Sequence, residues 1–441
     1  MKRKASYALL FIVLIVSSFL VMYSVVINAA LTPVDAEYID QEDWDNWKLS
    51  SNGYNYSHSS IMIDSEGTYH LVWNEYNLLQ NISKLNYCTF NGTFSDTLQF
   101  VEIYNENFTF TNISLSFEAE LDSLNRLHLV YIDEKVFFRN ECEYTHLIFT
   151  GGILSGTFSI PLNTPRLLKG SNGKMHVFGL SPGTGEFDGV NLYHSVFEDL
   201  TWTTPDRLTS NSDLEFAMII DVAISKSGEM CVVFLDGIYV RSLFYDGTNW
   251  IEKIVQEFQI ILHQIAMDDL GSAYMIQHRI EDFEYFSLNY SRYINNEWES
   301  YRIINLYDYS NEMGLSLPFI MDLIIIGSDI FIIMSILDTS NDSGVYLLHS
   351  INKDVWKLYP IFTNNDYYVT QPIFTANKDG SAMLLCKAFD GYYNLIACYN
   401  SEFFEYHETK AFPGITILLT LSSIVTLVPI TIHSRRKERV K

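Results

Sequence analysis

Positively charged residues are scarce in this sequence. Its 441 residues include 28 Lys and Arg against 53 Asp and Glu, which gives a formal net charge of −25 at pH 7. A protein that binds DNA or RNA needs a positive surface for the phosphates, so nucleic acid is not predicted as a partner. Charged residues make up 18% and hydrophobic residues 48%, so the chain has enough apolar surface to fold rather than stay disordered.

Cysteine is also scarce, and its spacing excludes several chemistries. The chain has 5 cysteines and no C-x-x-C pair, so neither a structural zinc site nor a thioredoxin-type redox site is predicted. Cys386 and Cys398 are spaced to face each other across one hairpin. Outside the cell such a pair forms a disulfide, and within a core it forms two small apolar side chains, so both interpretations stay open.

Short catalytic motifs are absent as well. The sequence contains no phosphate-binding loop, no dinucleotide fingerprint, no Gly-x-Ser-x-Gly elbow and no His-Glu-x-x-His. A sialidase-type site needs three arginines around a substrate carboxylate, and no arginine here has the sequence surroundings typical of that site. We therefore assign no catalytic residue and no cofactor, and we predict that the chain is not an enzyme.

One acidic loop has part of the composition of a calcium site. Oxygen-bearing side chains alternate at Asp338, Ser340 and Asp342. A calcium loop needs a Gly at its sixth position and a Glu at its twelfth, but Gly344 comes one residue late and the Glu is missing. We interpret the segment as a polar turn, with bound calcium as the alternative.

Apolar runs occupy both ends of the chain. Basic residues precede an apolar run within residues 1–30, which is the layout of a cleaved export signal or of an uncleaved signal anchor. After a short juxtamembrane segment, 409–413, residues 414–433 contain no Asp, Glu, Lys or Arg and are long enough for a transmembrane helix. A basic tail, 434–441, follows. By the positive-inside rule we expect this tail in the cytoplasm and the bulk of the chain outside the cell, held by one membrane pass or by two.

Sequons for N-glycosylation agree with an external location. Each has the form Asn-x-Ser/Thr, and most of them precede residue 115, so one side of the molecule is predicted to carry the sugars. The candidate acceptors are Asn55, Asn81, Asn91, Asn107, Asn112, Asn289 and Asn341.

Two units recur along the middle of the chain. In the first, an aromatic residue that opens a strand follows a tight polar turn, which predicts a β-hairpin. Its copies are at 197–202, 245–250, 293–298, 351–356 and 399–404. The second unit is an Asp/Gly turn followed by an alternating strand, and it precedes each copy of the first. Its fullest copy runs from Ile61 to Trp73, with echoes at 121–131 and 170–178 and around Gly228, Gly271, Gly327 and Gly380.

Together the two units predict four strands in each repeat and seven repeats between residues 55 and 408. Four-stranded sheets repeated around an axis form a β-propeller, in which each sheet buries both faces against its neighbours. The predicted fold is therefore all-β, a propeller of seven blades, with six or eight blades and a flat β-solenoid as alternatives. Residues 31–54 are predicted as a linker, in which a strand around Trp44 and Trp47 joins the last blade and closes the ring.

Three histidines hold equivalent places in successive repeats, at His70, His128 and His176. One hypothesis makes them a metal or acid–base set near the central channel. The other makes them a repeated strand position whose polar atoms are satisfied by neighbouring backbone groups. We prefer the second, because repeats reproduce structure before they reproduce function.

The segment from Asp64 to Trp73 resembles the Asp-box and related repeats of sialidase-like propellers, although the Thr-Trp pair that follows the Gly of an Asp-box is absent. The order of export signal, repeat domain, C-terminal span and basic tail also resembles prokaryotic, archaeal-type cell-surface propeller proteins. The segment 412–414, Phe-Pro-Gly, is similar to archaeal Pro-Gly-Phe sorting signals, with Ile415 in place of the Phe. This resemblance implies a protein that displays or binds something at a surface.

These observations predict a membrane-anchored extracellular propeller that binds a glycan or a protein at the cell surface, as a binding or adhesion module. The alternatives are a glycan-cleaving, sialidase-like surface enzyme and a purely structural component of the cell envelope. The enzyme alternative predicts that three arginines and two carboxylates meet at the mouth of the channel.

Overall fold

The computed structural model describes the chain as a ring of β-sheets. The described residues are 37–38, 44–51, 54–77, 80, 82–95, 97–104, 117–132, 144–160, 162–181, 191–209, 217–236, 239–257, 260–281, 285–305, 318–326, 329–336, 343–352, 355–364, 368–377, 380–389, 393–401 and 403. The elements assigned within them are all β-strands.

A repeated turn explains the Asp/Gly unit of the sequence. In its first copy the backbone N–H of Asp64 donates to the carbonyl of Thr68 at 3.0 Å, and Gly67 donates to the carbonyl of Asp64 at 3.2 Å. Gly67 has a φ of 87°, a conformation that glycine adopts without a steric penalty. The same pair of backbone bonds recurs at 122–126, 170–174, 225–229, 268–272 and 377–381. Each copy joins the first two strands of one sheet.

The aromatic unit forms the hairpin between the third and fourth strands of a sheet, as the sequence predicted. The turn brings the two aromatics of each pair opposite each other in the ladder. The paired residues are Phe197 with Trp202, Tyr245 with Trp250, and Tyr293 with Trp298.

The first three sheets follow one another along the chain, and each is a blade with its strands in sequence order. Blade 1 contains β3 (Asn55–Ile63), β4 (Tyr69–Asn77), β5 (Ile82–Phe90) and β6 (Leu98–Tyr104). Blade 2 contains β7 (Phe117–Leu121), β8 (Leu127–Ile132), β9 (Tyr144–Thr150) and β10 (Ile153–Ile160). Blade 3 contains β11 (Asn163–Lys169), β12 (Met175–Ser181), β13 (Asn191–Glu198), β14 (Thr201–Trp202) and β15 (Asp206–Arg207).

The next three sheets repeat the same order. Blade 4 contains β16 (Ala217–Ile224), β17 (Met230–Asp236), β18 (Tyr239–Tyr245) and β19 (Trp250–Glu257). Blade 5 contains β20 (Ile260–Met267), β21 (Ala273–Glu281), β22 (Tyr285–Ile294) and β23 (Glu297–Asn305). Blade 6 contains β24 (Pro318–Ile326), β25 (Asp329–Ile336), β26 (Ser343–Asn352) and β27 (Val355–Asn364).

Blade 7 is completed by the beginning of the chain. It contains β28 (Tyr368–Ala376), β29 (Ala382–Phe389) and β30 (Tyr393–Asn400), and its outer strands are β2 (Asp45–Lys48) and β1 (Glu37–Tyr38). Trp47 pairs with Ala397 on β30, so the predicted closure of the ring around Trp44 and Trp47 is confirmed. The hairpin predicted at 399–404 is wrong, because Tyr399 pairs with Asp45 and the N-terminal strand takes the place of a fourth strand.

The core lies between the blades. Seven clusters of buried apolar side chains fill the seven junctions, one cluster for each pair of neighbouring blades. The second strands are buried on both faces; in β17 every residue from Met230 to Leu235 is buried. The first strands contact one another around the ring, from β3 through β28 and back to β3, and so they surround a central channel. The seven-bladed, all-β prediction is confirmed.

Several predicted features lie outside the described residues. They include the signal segment 1–30, the span 414–433 with its basic tail, and Cys142. Within the part of the chain that the structure describes, no helix has the length and apolar character that crossing a membrane requires.

The two cysteines of blade 7 are buried free thiols in the structure, and the disulfide between them stays a prediction. In the hairpin of β29 and β30, Cys386 pairs with Ile396 and Cys398 pairs with Leu384. The two thiols therefore lie on a diagonal of one face of the sheet, within the apolar cluster between blades 6 and 7.

Ring closure generates the first prediction. Trp44 is 5% exposed, and its ring meets Phe403 edge-on in the cluster between blades 6 and 7. Replacing Trp44 by Ala removes this packing and should lower the free energy of unfolding by about 3–5 kcal/mol. Leu124, 71% exposed at a turn tip, is the control, because Leu124→Ala should change stability by less than about 0.5 kcal/mol. Urea unfolding followed by tryptophan fluorescence measures both, and equal effects of the two variants would contradict this role of Trp44.

Candidate functional site

Polar side chains from five blades gather around the central channel. His58 lies on β3, Glu118 on β7, Arg166 on β11, Asp221 on β16 and Asp322 on β24, all first strands. Electrostatic interactions join members on blades that are not neighbours, such as Glu118 with Asp221 and His58 with Arg166. Only the channel brings such blades together, so these side chains converge on the axis of the ring.

β-Bulges direct four of these five side chains toward the axis, whereas β7, which carries Glu118, has a regular register. The first strands of six blades have a register shift, and His58, Arg166, Asp221 and Asp322 each come directly after one. A bulge places two residues opposite one and re-aims the side chain that follows. The bulge is therefore a repeated backbone feature of the first strands, and the side chain that follows it differs from blade to blade.

The channel carboxylates tie neighbouring blades together. Asp221 accepts hydrogen bonds from the backbone N–H of Val222 and from that of Ile265 in blade 5, both at 2.9 Å. Asp322 repeats the pattern with Leu323 at 2.9 Å and Phe374 of blade 7 at 3.1 Å. Because both oxygens of each carboxylate already accept from the backbone, we interpret these two residues as links between blades.

Burial dominates the titration of the channel groups. It raises the pKa of Asp221 to about 6 and the pKa of Asp322 to about 7. Desolvation by the surrounding channel walls, and then the charge of Arg166, lower the pKa of His58 to about 4. Arg166 itself is paired with Glu118 at 2.6 Å. At neutral pH the channel therefore contains partly protonated carboxyls, a neutral imidazole and one guanidinium.

The arginine cluster of a sialidase-type site is not assembled by the described side chains. Arg166 alone among them lies at the channel. The others have partners elsewhere. Arg126 pairs with Asp122 in a turn, and Arg207 on β15 donates to the carbonyl of Thr209. Arg241 pairs with Asp236 and Glu252, and Arg292 lies over the ring of Tyr274.

The repeated histidines lie on the second strands, away from the channel. His70 contacts Oδ2 of Asp64 at 3.2 Å and the hydroxyl of Tyr87 at 2.7 Å. His128 repeats the arrangement with Asp122 at 3.2 Å and His146 at 2.9 Å. The structural interpretation is thus supported, but the partners are side chains rather than the backbone groups that we expected. No metal-binding group of His, Cys, Asp and Glu occurs within the described residues.

Blade 3 departs from this pattern and contains a cavity. His176 contacts Nε2 of His194 at 2.9 Å through its Nδ1, as in blade 2, but the turn position that carries Asp64 and Asp122 is Gly170. A cavity of about 370 Å³ opens here between blades 3 and 4. Its lining includes Gly170, Asn172, His176, His194, Asp206, Tyr245 and Trp250.

Aromatic rings surround the histidine pair of blade 3. His194 stacks on His176 and on Phe178, with centroids 5.1 and 4.7 Å away, and the ring of Trp250 meets it edge-on at 6.3 Å. Burial and then the neighbouring His176 lower the pKa of His194 to about 4. Burial, with Lys174 nearby, also lowers the pKa of His176. Both imidazoles are therefore neutral at pH 7 and face a cavity.

Blade 2 provides an internal comparison for this site. Its equivalent pair, His128 and His146, is 1% and 0% exposed, and Phe158, Phe197 and Trp202 enclose it. His176 is 8% exposed, and His194 is more exposed than that. The same pair is thus sealed in one blade and open to a cavity in the next.

The sequence analysis named His176 but missed the cavity. His194, Tyr245 and Trp250 come from other strands, and nothing in their own surroundings marks them. The sequence did contain one sign that blade 3 differs from blades 1 and 2, because Gly170 stands where their turns have Asp64 and Asp122.

The other predicted sites have separate outcomes. The calcium candidates Asp338, Ser340 and Asp342 lie outside the described residues, as do Asn81, Asn107, Asn112 and Asn341. Asn91 is exposed in a turn and Asn55 is half-buried, so both stay predicted acceptors. Asn289 is 8% exposed in β22, and this burial argues against a glycan there.

Comparison with known proteins finds likeness in structure alone. No family model matches the sequence, and no curated protein matches it. A solved structure described as an ulvan lyase from a new family of polysaccharide lyases has a TM-score of 0.56 and 9% identity, covering 79% of this chain and 95% of its own. The structure of the lyase bound to -[GlcA(1-4)Rha3S]- has a TM-score of 0.55 and 10% identity, and the match covers 79% of this chain and 96% of the lyase chain. A phage phi92 endosialidase has a TM-score of 0.42 and 9% identity, and the match covers 81% of this chain and 68% of the endosialidase chain.

The matches with the lyase show a shared propeller fold and correct one prediction. We predicted that the chain is not an enzyme because it lacks short catalytic motifs. The lyase structures share this fold over nearly their whole length, so a propeller of this shape houses an enzyme. The absence of motifs that belong to other folds therefore carries no weight against activity.

Burial of His146 generates a prediction on acid stability. Burial and the neighbouring His128 lower its pKa from 6.5 to about 3. As the pH falls below 6.5, the unfolded chain binds the proton first, so the free energy of unfolding declines until the folded pKa is reached. From pH 6.5 to about 4.5, wild type should lose about 1–2.5 kcal/mol more than His146→Gln in urea unfolding. The channel carboxyls have raised pKa values, so their protonation stabilises the folded protein as the pH falls. This contribution is the same in wild type and in His146→Gln, so it does not affect the difference between them. Equal losses would contradict the assignment.

Proposed function

We propose that this protein is a glycan-cleaving enzyme and that the cavity between blades 3 and 4 binds the sugar. The observation that carries the proposal is the pair of neutral, stacked imidazoles of His176 and His194, which faces this cavity. A sealed structural pair of the same kind exists in blade 2, so the fold does not require the opening in blade 3.

The walls of the cavity suit a sugar ring. Trp250 and Tyr245 provide flat apolar faces, which pack against the C–H face of a pyranose. Asn172, Asp206 and the histidines provide polar groups that can orient a ligand beside these rings. The volume of about 370 Å³ accommodates one or two sugar units.

The chemistry of these groups favours elimination over hydrolysis. Glycoside hydrolysis uses two carboxyl groups on either side of the bond, whereas Asp206 is the one carboxylate among the described residues that line the cavity. Elimination needs a base, and a neutral imidazole is one. The base removes the proton from the carbon beside a uronate carboxylate. The electron pair of that C–H bond forms a carbon–carbon double bond, the bond from the next carbon to the glycosidic oxygen breaks, and that oxygen takes up a proton.

The structural likeness supports the same class of reaction. Two solved propellers that match with a TM-score above 0.5 are the ulvan lyase and its complex with -[GlcA(1-4)Rha3S]-. We therefore propose a polysaccharide that contains uronic acid as the substrate.

We further propose that the enzyme acts outside the cell and is anchored by its C-terminal segment. The support is the sequence of both ends, with apolar runs beside basic residues, and the sequons between them. Protease treatment of intact cells checks this location. Digestion of the propeller domain with protection of the basic tail is the expected result, and full protection contradicts it.

The catalytic proposal predicts unequal effects of equivalent variants. His194→Gln should lower kcat/KM on a uronate polysaccharide by about 10²–10⁴-fold, because it removes an imidazole from the acid–base pair. His146→Gln, the matched change in blade 2, should leave kcat/KM within about threefold of wild type below its unfolding temperature. New reducing ends measure any cleavage, and the ultraviolet absorbance of an unsaturated uronate measures elimination alone.

The outcomes separate the alternatives. New reducing ends without unsaturated product would replace elimination by hydrolysis. Equal loss of activity in the two variants, or no cleavage of any polysaccharide in a uronate panel, would contradict the proposed site.

A further inference from the structure

One face of the ring collects two kinds of turn, and we call it the turn face. Strands run antiparallel within each blade, so the turn after the first strand and the hairpin after the third strand lie on the same face. The turns after the first strands also form a continuous row from blade 2 to blade 5. The residues that lie side by side in this row are Ser123 with Gly173, Ser171 with Gly228, and Lys226 with Asp269.

The turn face carries the most exposed apolar side chains of the described residues. Seven large hydrophobic side chains are exposed there and elsewhere on the described surface, and the four most exposed lie in or beside turns of this face. These four are Leu270 at 88%, Ile153 at 75%, Leu124 at 71% and Leu200 at 59%. On the opposite face Phe389 and Tyr393 are less exposed, and their rings pack on each other. Single exposed leucines are ordinary, but four of them on one face form an unequal distribution.

The turns themselves do not need leucine. Leu124 and Leu270 hold the third position of the repeated turn. The same position is polar in blades 1, 3 and 4, where it is Glu66, Asn172 and Ser227. Leu200 has a φ of 62°, a left-handed conformation that favours Gly and Asn, and Asn296 holds its place in the hairpin of blade 5. The reason for these leucines therefore lies outside the local structure.

The described chain also ends on the turn face. β30 is the third strand of blade 7 and so runs toward this face, and Phe403 follows it in the cluster between blades 6 and 7. Ten residues, 404–413, separate Phe403 from the apolar segment 414–433 that we propose as the membrane anchor. Ten residues reach at most about 35 Å when fully extended. The anchor would therefore hold the propeller near the membrane by the turn face.

The charges of these turns favour lipid without a net charge. The basic side chains of the described turns are already paired with acidic ones: Arg126 with Asp122, Lys174 with Glu198, and Lys226 with Asp269. A surface whose cations are paired gains little from anionic lipid, so its attraction to a membrane has to come from apolar side chains.

We propose that the turn face docks on the lipid surface, with Leu124, Ile153, Leu200 and Leu270 inserted among the headgroups. Apolar side chains that leave water for the boundary of headgroups and acyl chains gain free energy in proportion to the area they bury. The inference rests on the proposed C-terminal anchor, and it does not depend on the chemistry proposed for the cavity.

Docking also affects what the cavity can reach. Gly170 and Gly228, which line the cavity between blades 3 and 4, belong to the row of turns. The cavity therefore adjoins the turn face, and docking keeps it close to the headgroups, where it meets glycans held at the cell surface.

Quenching from within the lipid tests the contact. The full-length protein with Cys142→Ser is reconstituted into phosphatidylcholine vesicles, and its other four cysteines are buried. A fluorophore is attached through Ile153→Cys on the turn face or through Gln80→Cys, an exposed position on the opposite face. Strands of about eight residues separate the two faces by about 25 Å, whereas docked side chains reach about 5–10 Å into the lipid. Nitroxides on the acyl chains should therefore quench the probe at position 153 at least about threefold more strongly than the probe at position 80.

Variants without the leucines test their role. In protein labelled at position 153, Leu124→Ser together with Leu270→Ser should reduce the quenching by at least about half, because less apolar area enters the lipid. Serine occurs at the same turn position in blade 4, so the turns should still form. Phe389→Ser, which removes an exposed apolar side chain from the opposite face, is the matched control and should leave the quenching unchanged.

The outcomes distinguish this inference from the proposed function. Equal quenching at positions 153 and 80, or quenching that survives the double leucine variant, overturns the docking even if the protein is anchored and active. A probe at position 153 that is shielded from aqueous iodide but not quenched by the lipid means that a second copy or another segment covers the face, and this overturns the docking as well. Protein that washes off the vesicles in alkaline carbonate contradicts both the anchor and the docking.

Activity in detergent is a separate readout. Leu124 and Leu270 do not line the cavity, so the double variant should cleave a soluble uronate polysaccharide within about threefold of wild type. Selective quenching at position 153 in a protein that cleaves nothing supports the docking and contradicts the enzyme. Cleavage without selective quenching has the opposite meaning.

Discussion

A four-stranded sheet with two apolar faces cannot be stable in water by itself, and this constraint organises the whole molecule. The middle strands show it most directly, since β4 is buried at Tyr69 through Glu75 and β29 at Ala382 through Cys386. Both faces of every blade need a partner, and only a closed ring gives each blade two neighbours. The strand from the N-terminus completes blade 7, so the ends of the described ring are held together by backbone hydrogen bonds and by the cluster around Trp44.

Closing the ring forces polar groups of distant sequence into one channel. The first strands must approach one another at the axis, where backbone donors of the next blade need acceptors. Asp221 and Asp322 accept from those donors, at the cost of burial that raises both pKa values. The channel carboxylates thus follow from the architecture, and their presence at the axis does not by itself indicate catalysis.

Function is better sought where one blade departs from its neighbours. The turn carboxylate and its histidine form a structural unit in blades 1 and 2, and the unit in blade 2 is sealed from solvent. Blade 3 keeps the histidine pair, loses the carboxylate at Gly170 and opens a cavity walled by Trp250. Features that the blades share are explained by the repeated structure. The cavity of blade 3 is not shared, so it needs another explanation. The sugar binding that we propose for this cavity would be such an explanation.

The sequence by itself determined the hairpins except the one at 399–404, the number of blades and the strand that closes the ring. These features depend on contacts between residues close in sequence, such as Tyr245 with Trp250, or on a regular repeat that counts the blades. The tertiary structure alone decided that Tyr399 pairs with Asp45 rather than with a following strand, that Cys386 and Cys398 lie on a diagonal, and that His194 and Trp250 share one cavity. Each of these depends on which blade faces which and in what register, and that is set by the packing of whole sheets rather than by any local pattern.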